Sequence, residues 1–250
     1  MKKTIHKMVM FINDLSFDLI AKKKSDIGKV LLYSDSRGTE IYPRFKHKNP
    51  YFSYIRGYLD SYSVEYELCP HKFTSLLDFL EYTSENQGYS HIILHCGIVD
   101  FAPRPLSSYT SMLKDKENYL KKMGWYHYFE NRNDFLCDYE GEACLQFMSR
   151  EFLINEFIPA LEKIENIIYV GINPVVNDWR GNYWRDRPDC INEQLEQDLI
   201  MLRHFNDVVD LSAWSDEEVK YYTVDNVHYN RKGLNFIGER VSQILAKKSS

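Results

Sequence analysis

Short apolar runs of strand length alternate with longer stretches of helical periodicity along most of this chain. No other feature restricts the fold as much. Lys29 to Tyr33, Ser63 to Cys69, His91 to Cys96, Ile167 to Ile172 and Asp207 to Leu211 read as strands. Helical spacing runs through Pro50 to Leu59, Phe73 to Ser84, Phe152 to Ile164, Ile191 to Leu202 and Asn230 to Lys247. Regular alternation of this kind predicts an α/β fold, a three-layer α/β/α sandwich in which helices cover both faces of a parallel sheet. Ligands of such sheets bind at the carboxyl ends of the strands. Ser36, the stretch Gly97 to Asp100 and Asn173-Pro174 each follow a predicted strand, so they should share one rim.

The 250 residues fit a single domain. Residues 1–28 read as an N-terminal extension. A segment at about 102–148 interrupts the alternation; it is rich in Tyr, Lys and Asp and weakly periodic, and reads as a lid-like insertion over the rim. A net charge of −5 gives no electrostatic case for binding nucleic acid. No stretch approaches the roughly 20 apolar residues of a membrane span, and the run Met8 to Ile12 is too short for a signal peptide. The five cysteines are odd in number and lack metal-ligand spacing, so Cys69 and Cys96 read as reduced thiols. These features point to the cytoplasm, without a metal or cofactor and without stable membrane insertion. Oligomeric state is open.

Two segments carry candidate chemistry. After the first strand stands Ser34-Asp35-Ser36-Arg37-Gly38, and before the last helix Asp225-Asn226-Val227-His228. A serine needs a base to take its proton and donors to hold the oxyanion that forms. His228 is a candidate base, and Asp225 a candidate acid to fix its tautomer.

These blocks resemble those of the SGNH, or GDSL-type, hydrolase superfamily. Ser34-Asp35-Ser36 is similar to the family's Gly-Asp-Ser block, with Ser36 in the nucleophile's position. Asp225 and His228 match its Asp-x-x-His block. Gly97-Ile98-Val99-Asp100 resembles its Gly-x-Asn-Asp block, and Gly171 to Pro174 its fourth block. The resemblance spans roughly Val30 to Leu245 apart from the insertion. It implies a flavodoxin-like sheet of five parallel strands and ester hydrolysis or acyl transfer. The wording Gly-Ile-Val-Asp followed by Pro-Arg-Pro is similar to a subgroup linked to bacterial surface-polysaccharide biosynthesis, which implies an acylated sugar, a sugar nucleotide or a glycan as substrate.

Two departures weaken the implied oxyanion hole. Val99 stands where the family has its donating Asn, and the loop Pro70-His71-Lys72-Phe73 has no Gly. Losing one such donor costs roughly 3 kcal/mol of transition-state stabilisation, about a hundredfold or more in rate. Arg37 and Arg104 are candidate substitutes as oxyanion or anion clamps. Gly97, Asp100 and Lys72 complete the expected substrate-binding and oxyanion set, Asp100 either capping the following segment or holding Arg104. Trp179, Arg180, Tyr183, Trp184, Arg185 and Arg187 form an aromatic and cationic cluster suited to a sugar or an anionic sugar, and equally to a loop packed on the lid. His91 and His95 share one side of a strand, where packing is the simpler role than metal binding. The leading expectation is a serine esterase or O-acyltransferase acting on an acylated carbohydrate. A carbohydrate-binding or scaffold protein that keeps the fold without the reaction is the alternative, and phosphoester chemistry a third.

Overall fold

The computed structural model of the chain describes residues 4, 8, 11–12, 15–17, 19, 28–39, 52–59, 61–183 and 186–248. Most of the expected N-terminal extension lies outside these residues, as do Pro50, Tyr51, Trp184 and Arg185. Strands β1 (Lys29–Ser34), β2 (Ser63–Leu68), β3 (His91–His95), β4 (Ile167–Val170) and β5 (Val208–Val209) form one parallel sheet in the order β2-β1-β3-β4-β5. Leu31 pairs with Glu65 on one side and Ile92 on the other, which fixes β1 in the middle of this half of the sheet. From β1 the chain goes out to β2 and returns to β3. This reversal leaves a crevice beyond the ends of β1 and β3, where doubly wound sheets hold their ligands.

Burial of both faces explains why β1, β3 and β4 read as continuous apolar runs, whereas the edge strand β2 alternates and is mostly half-buried. Leu31, Tyr33 and Leu94 point into one core. Val30, Leu32, Ile93 and Ile168 point into the other. Helices α1 (Phe52–Leu59) and α6 (Arg231–Lys248) cover the second face. The first face is covered by α2 (Leu76–Glu85), by the helical segment from Arg150–Phe152 to Ile158–Leu161, and by a later helix on Gln194–His204. Helix α2 begins with a capping box: Ser75 N–H donates to Asp78 Oδ2 (2.8 Å) while Asp78 N–H donates to Ser75 Oγ (3.3 Å).

The insertion differs from the expected lid. It contains a helix of its own, α3 (Leu106–Lys122), and a small antiparallel sheet of Arg104–Pro105, Cys137–Tyr139 and Glu142–Leu145. Tyr109, Met112, Leu120, Trp125, Phe129 and Phe147 are buried in the first core. Most of the segment therefore thickens one layer of the sandwich, and only its hairpin and first residues reach the rim. Lys116, buried on α3, donates to Asp78 of α2 at 2.7 Å and ties the two helices together. Helices α4 (Gln194–His204) and α5 (Asp216–Tyr222) complete the chain order before α6; α5 carries its own Ser215 and Glu218 capping box.

Candidate active site

Strand β1 ends at Ser34, and the next residues tighten into a single 3₁₀ turn, Ser36–Gly38. Asp35 shapes that turn. Its Oδ1 accepts from the Arg37 backbone N–H at 2.9 Å, and its own N–H donates to His95 O at 3.0 Å, which fastens the turn to β3. Ser34 stands where the SGNH block has Gly, and its side chain occupies room left by Gly38. A Cβ on Gly38 would collide with Ser34 Oγ.

The second segment is a closed loop. Val224 N–H donates to His228 O (2.8 Å), and Thr223 bridges Tyr229. Between them Asn226 adopts φ +71°, a left-handed conformation that asparagine tolerates better than most residues. Asn226 also anchors the loop after β4: Val176 N–H donates to its Oδ1 (2.8 Å), and its Nδ2 donates to Trp179 O. Asn173 Nδ2 donates back to Asn226 O at 2.8 Å.

Three side chains line up as a result. Ser36 Oγ lies 2.9 Å from His228 Nε2, and His228 Nδ1 lies 2.8 Å from Asp225 Oδ2. Asp225 is fully buried, and its Oδ1 accepts from the backbone N–H groups of His228 (2.8 Å) and Val227 (3.1 Å). Burial works to raise its pKa, but the hydrogen bond and charge of His228 and the two N–H donors outweigh it and bring the value down to about 2. An ionised carboxylate only accepts, so Nδ1 of the neutral imidazole carries the hydrogen. Nε2 is then bare and faces the serine hydroxyl as an acceptor.

Ser36 and His228 open into a cleft of about 250 Å³. Lys72 and Phe73 line one side, from the loop after β2; Ile98, Val99 and Arg104 line another. Tyr139 of the insertion hairpin and Tyr183, Asp186 and Arg187 of the loop after β4 close the far wall. Tyr139 Oη donates to Asp186 O at 2.8 Å, and a Cys137–Cys190 disulfide joins the hairpin to the same loop. Counting cysteines did not foresee this bond. Among the described residues no helix is long and apolar enough to cross a membrane.

Other expected site residues divide. Lys72 and Arg104 line the cleft, and Arg104 Nε donates to Val99 O at 3.1 Å. Arg37 does not reach it. Its guanidinium is fully buried beneath the serine turn, where Nε and Nη2 donate to the Asp35 carboxylate (3.0 Å each) and Nη1 donates to Gly171 O (3.0 Å). Burial pulls its pKa down, but Asp35 more than reverses this and holds it above the ordinary value. Arg37 therefore pins the serine turn to the end of β4 and does not line the cleft. Asp100 is likewise buried. Its Oδ2 accepts from Leu76 N–H at 2.9 Å, so it serves the start of α2 rather than Arg104 or its own segment. Burial, with Asp78 and Asp35 nearby, pushes its carboxyl well above the usual range.

Gly97 stands at φ +136° under the cleft floor, where a Cβ would press on Phe101 and the Tyr169 hydroxyl. Val99 presents an apolar wall at the position of the missing Asn. The Ser36 N–H, and those of Lys72 and Phe73, make no hydrogen bond among the described residues, so they are the candidate oxyanion donors. His95 bonds Tyr54 Oη through Nδ1 (2.6 Å) and stacks on Tyr229, while His91 packs on Tyr62. Among the described residues no group of three or more His, Cys, Asp or Glu could hold a metal ion.

Sequence reasoning missed Tyr139 and Asp186, whose only signal was membership of two segments with weak periodicity. Comparison with models of known protein families, with curated proteins and with solved structures finds no match to this chain.

Proposed function

We propose that the chain is a serine ester hydrolase or acyltransferase of the SGNH type, acting on an acylated carbohydrate. The observation that carries this reading is the unbroken hydrogen-bonded chain from Ser36 through His228 to Asp225, opening into a cleft at the sheet's switch point. Ser36 Oγ attacks the ester carbonyl as its proton passes to His228 Nε2, and Asp225 stabilises the imidazolium that results. Negative charge on the carbonyl oxygen is met by the Ser36 N–H and by an N–H from Lys72 or Phe73. The C–O bond to the leaving alcohol breaks as His228 returns the proton to that oxygen, leaving an acyl-serine. Water or a sugar hydroxyl, deprotonated by His228, then attacks the acyl group and frees Ser36.

Tyr139 and Tyr183 suit a sugar ring, since an aromatic face buries the apolar side of a pyranose while the hydroxyls stay hydrated. Rapid acid quench of the protein with an acetylated monosaccharide should trap an acetyl group on Ser36. Ser36→Ala should trap none; unchanged turnover in that variant would remove the proposal. Val99 favours a second reading, a carbohydrate-binding protein with a weakened oxyanion site. That reading expects sugar binding without any covalent intermediate.

A further inference from the structure

We propose that the substrate of this cleft carries an anionic substituent, a phosphoryl or carboxylate group on the acylated sugar, held by Arg104, Arg187 and Lys72. The proposal rests on the ester-hydrolase reading and narrows its substrate. The three cations come from separate parts of the chain: the loop after β2, the start of the insertion and the loop after β4. Their convergence on one cavity runs against the chain's net charge of −5. Among the described residues the lining offers one carboxylate, Asp186, which is exposed and lies 3.7 Å from Arg180. A cation-lined cleft in an acidic protein concentrates anions at its mouth and selects them over neutral competitors.

Two of the three are preset. Arg104 is anchored through Nε to Val99 O, and the Arg187 guanidinium sits over the Tyr183 ring, 3.8 Å from its centroid. Guanidinium planes fixed in this way lose little freedom on meeting the paired oxygens of a phosphoryl or carboxylate group.

Calorimetry on the Ser36→Ala variant tests this without any turnover. Glucose 1-phosphate should bind about tenfold or more tighter than methyl glucoside, the worth of one charge-assisted hydrogen bond. Arg104→Gln and Arg187→Gln should each remove most of that difference with unchanged melting by circular dichroism, and added salt should weaken only the charged ligand. Glucuronate binding as tightly as glucose 1-phosphate would support the inference with carboxylate as the anion. Equal affinity for the phosphate and the neutral glucoside would overturn it, as would inorganic phosphate binding as tightly as the sugar phosphate. Failure to trap an acyl-serine in the wild-type protein would remove the hydrolase reading and leave this binding result standing.

Discussion

On one side of the cleft, Ser36, Asp225 and His228 stand on backbone that is hydrogen-bonded at nearly every step to the sheet or to itself. On the other side, Tyr139, Asp186 and Arg187 stand on a hairpin and a loop that the Cys137–Cys190 disulfide and the Tyr139 hydrogen bond hold together. The first wall derives its geometry from the core, so its atoms are fixed before any ligand arrives. The second is held by its own disulfide and by loop-to-loop bonds, among them those of Asn226 to Val176 and Trp179, rather than by strands of the parallel sheet. Chemistry requires sub-ångström placement, and the proposed function puts it on the first; recognition of a substituent tolerates more, and the proposal puts it on the second.

Four changes separate the two walls. The largest effect belongs to Ser36→Ala, which should lower kcat/KM for an acetylated sugar by about a thousandfold or more while leaving the melting temperature unchanged. Next comes Arg37→Met, which strands the buried Asp35 charge. Urea unfolding should show a loss of about 3–5 kcal/mol, the usual cost of breaking a buried pair. A loss below about 1 kcal/mol, the range of an exposed pair, would mean that Arg37 does not pin the serine turn.

Replacing Cys137 and Cys190 together with serine should cost about 2–4 kcal/mol. It should raise KM for the sugar ester but leave the rate of Ser36 labelling by a small fluorophosphonate as it was. A fall in labelling would show that the far wall also positions the nucleophile.

The smallest effect concerns Asp198, on α4 between the two walls. This buried carboxyl accepts from Tyr169 Oη (2.6 Å) and from Ile172 N–H (2.9 Å). Burial raises its pKa to about 6, although both hydrogen bonds oppose the shift. The native state holds this proton more tightly than the unfolded chain does. Its contribution to stability is therefore full below the ordinary carboxyl value and is lost as pH rises through about 6. Asp198→Asn should flatten the fall in stability between about pH 4 and 6 by an amount on the order of 2 kcal/mol. An unchanged pH profile of urea midpoints would contradict that.

The first wall was legible in the sequence and the second only in part, through Tyr183 and Arg187, for physical reasons. Strands buried on both faces advertise themselves as apolar runs, and the residues after them must meet at one rim. Helix α3 was hidden because its buried stripe is broken by Lys116, which is tolerable inside because Asp78 and Asp115 both pair with it. Arg37 was misread because a charged residue beside a nucleophile suggests an exposed clamp. That its partner lies two residues back, folded under the same turn, is a property of the 3₁₀ geometry. The disulfide joins cysteines 53 residues apart, and pairing at that distance cannot be deduced from spacing.

The central claim is that Ser36 is made nucleophilic by His228 and Asp225. Its most direct test is mass spectrometry of the protein after brief exposure to a fluorophosphonate, with peptide mapping of the adduct. The account predicts a single adduct on Ser36, formed far more slowly in His228→Ala. No adduct in the folded wild-type protein, or one that forms equally fast without His228, would contradict it.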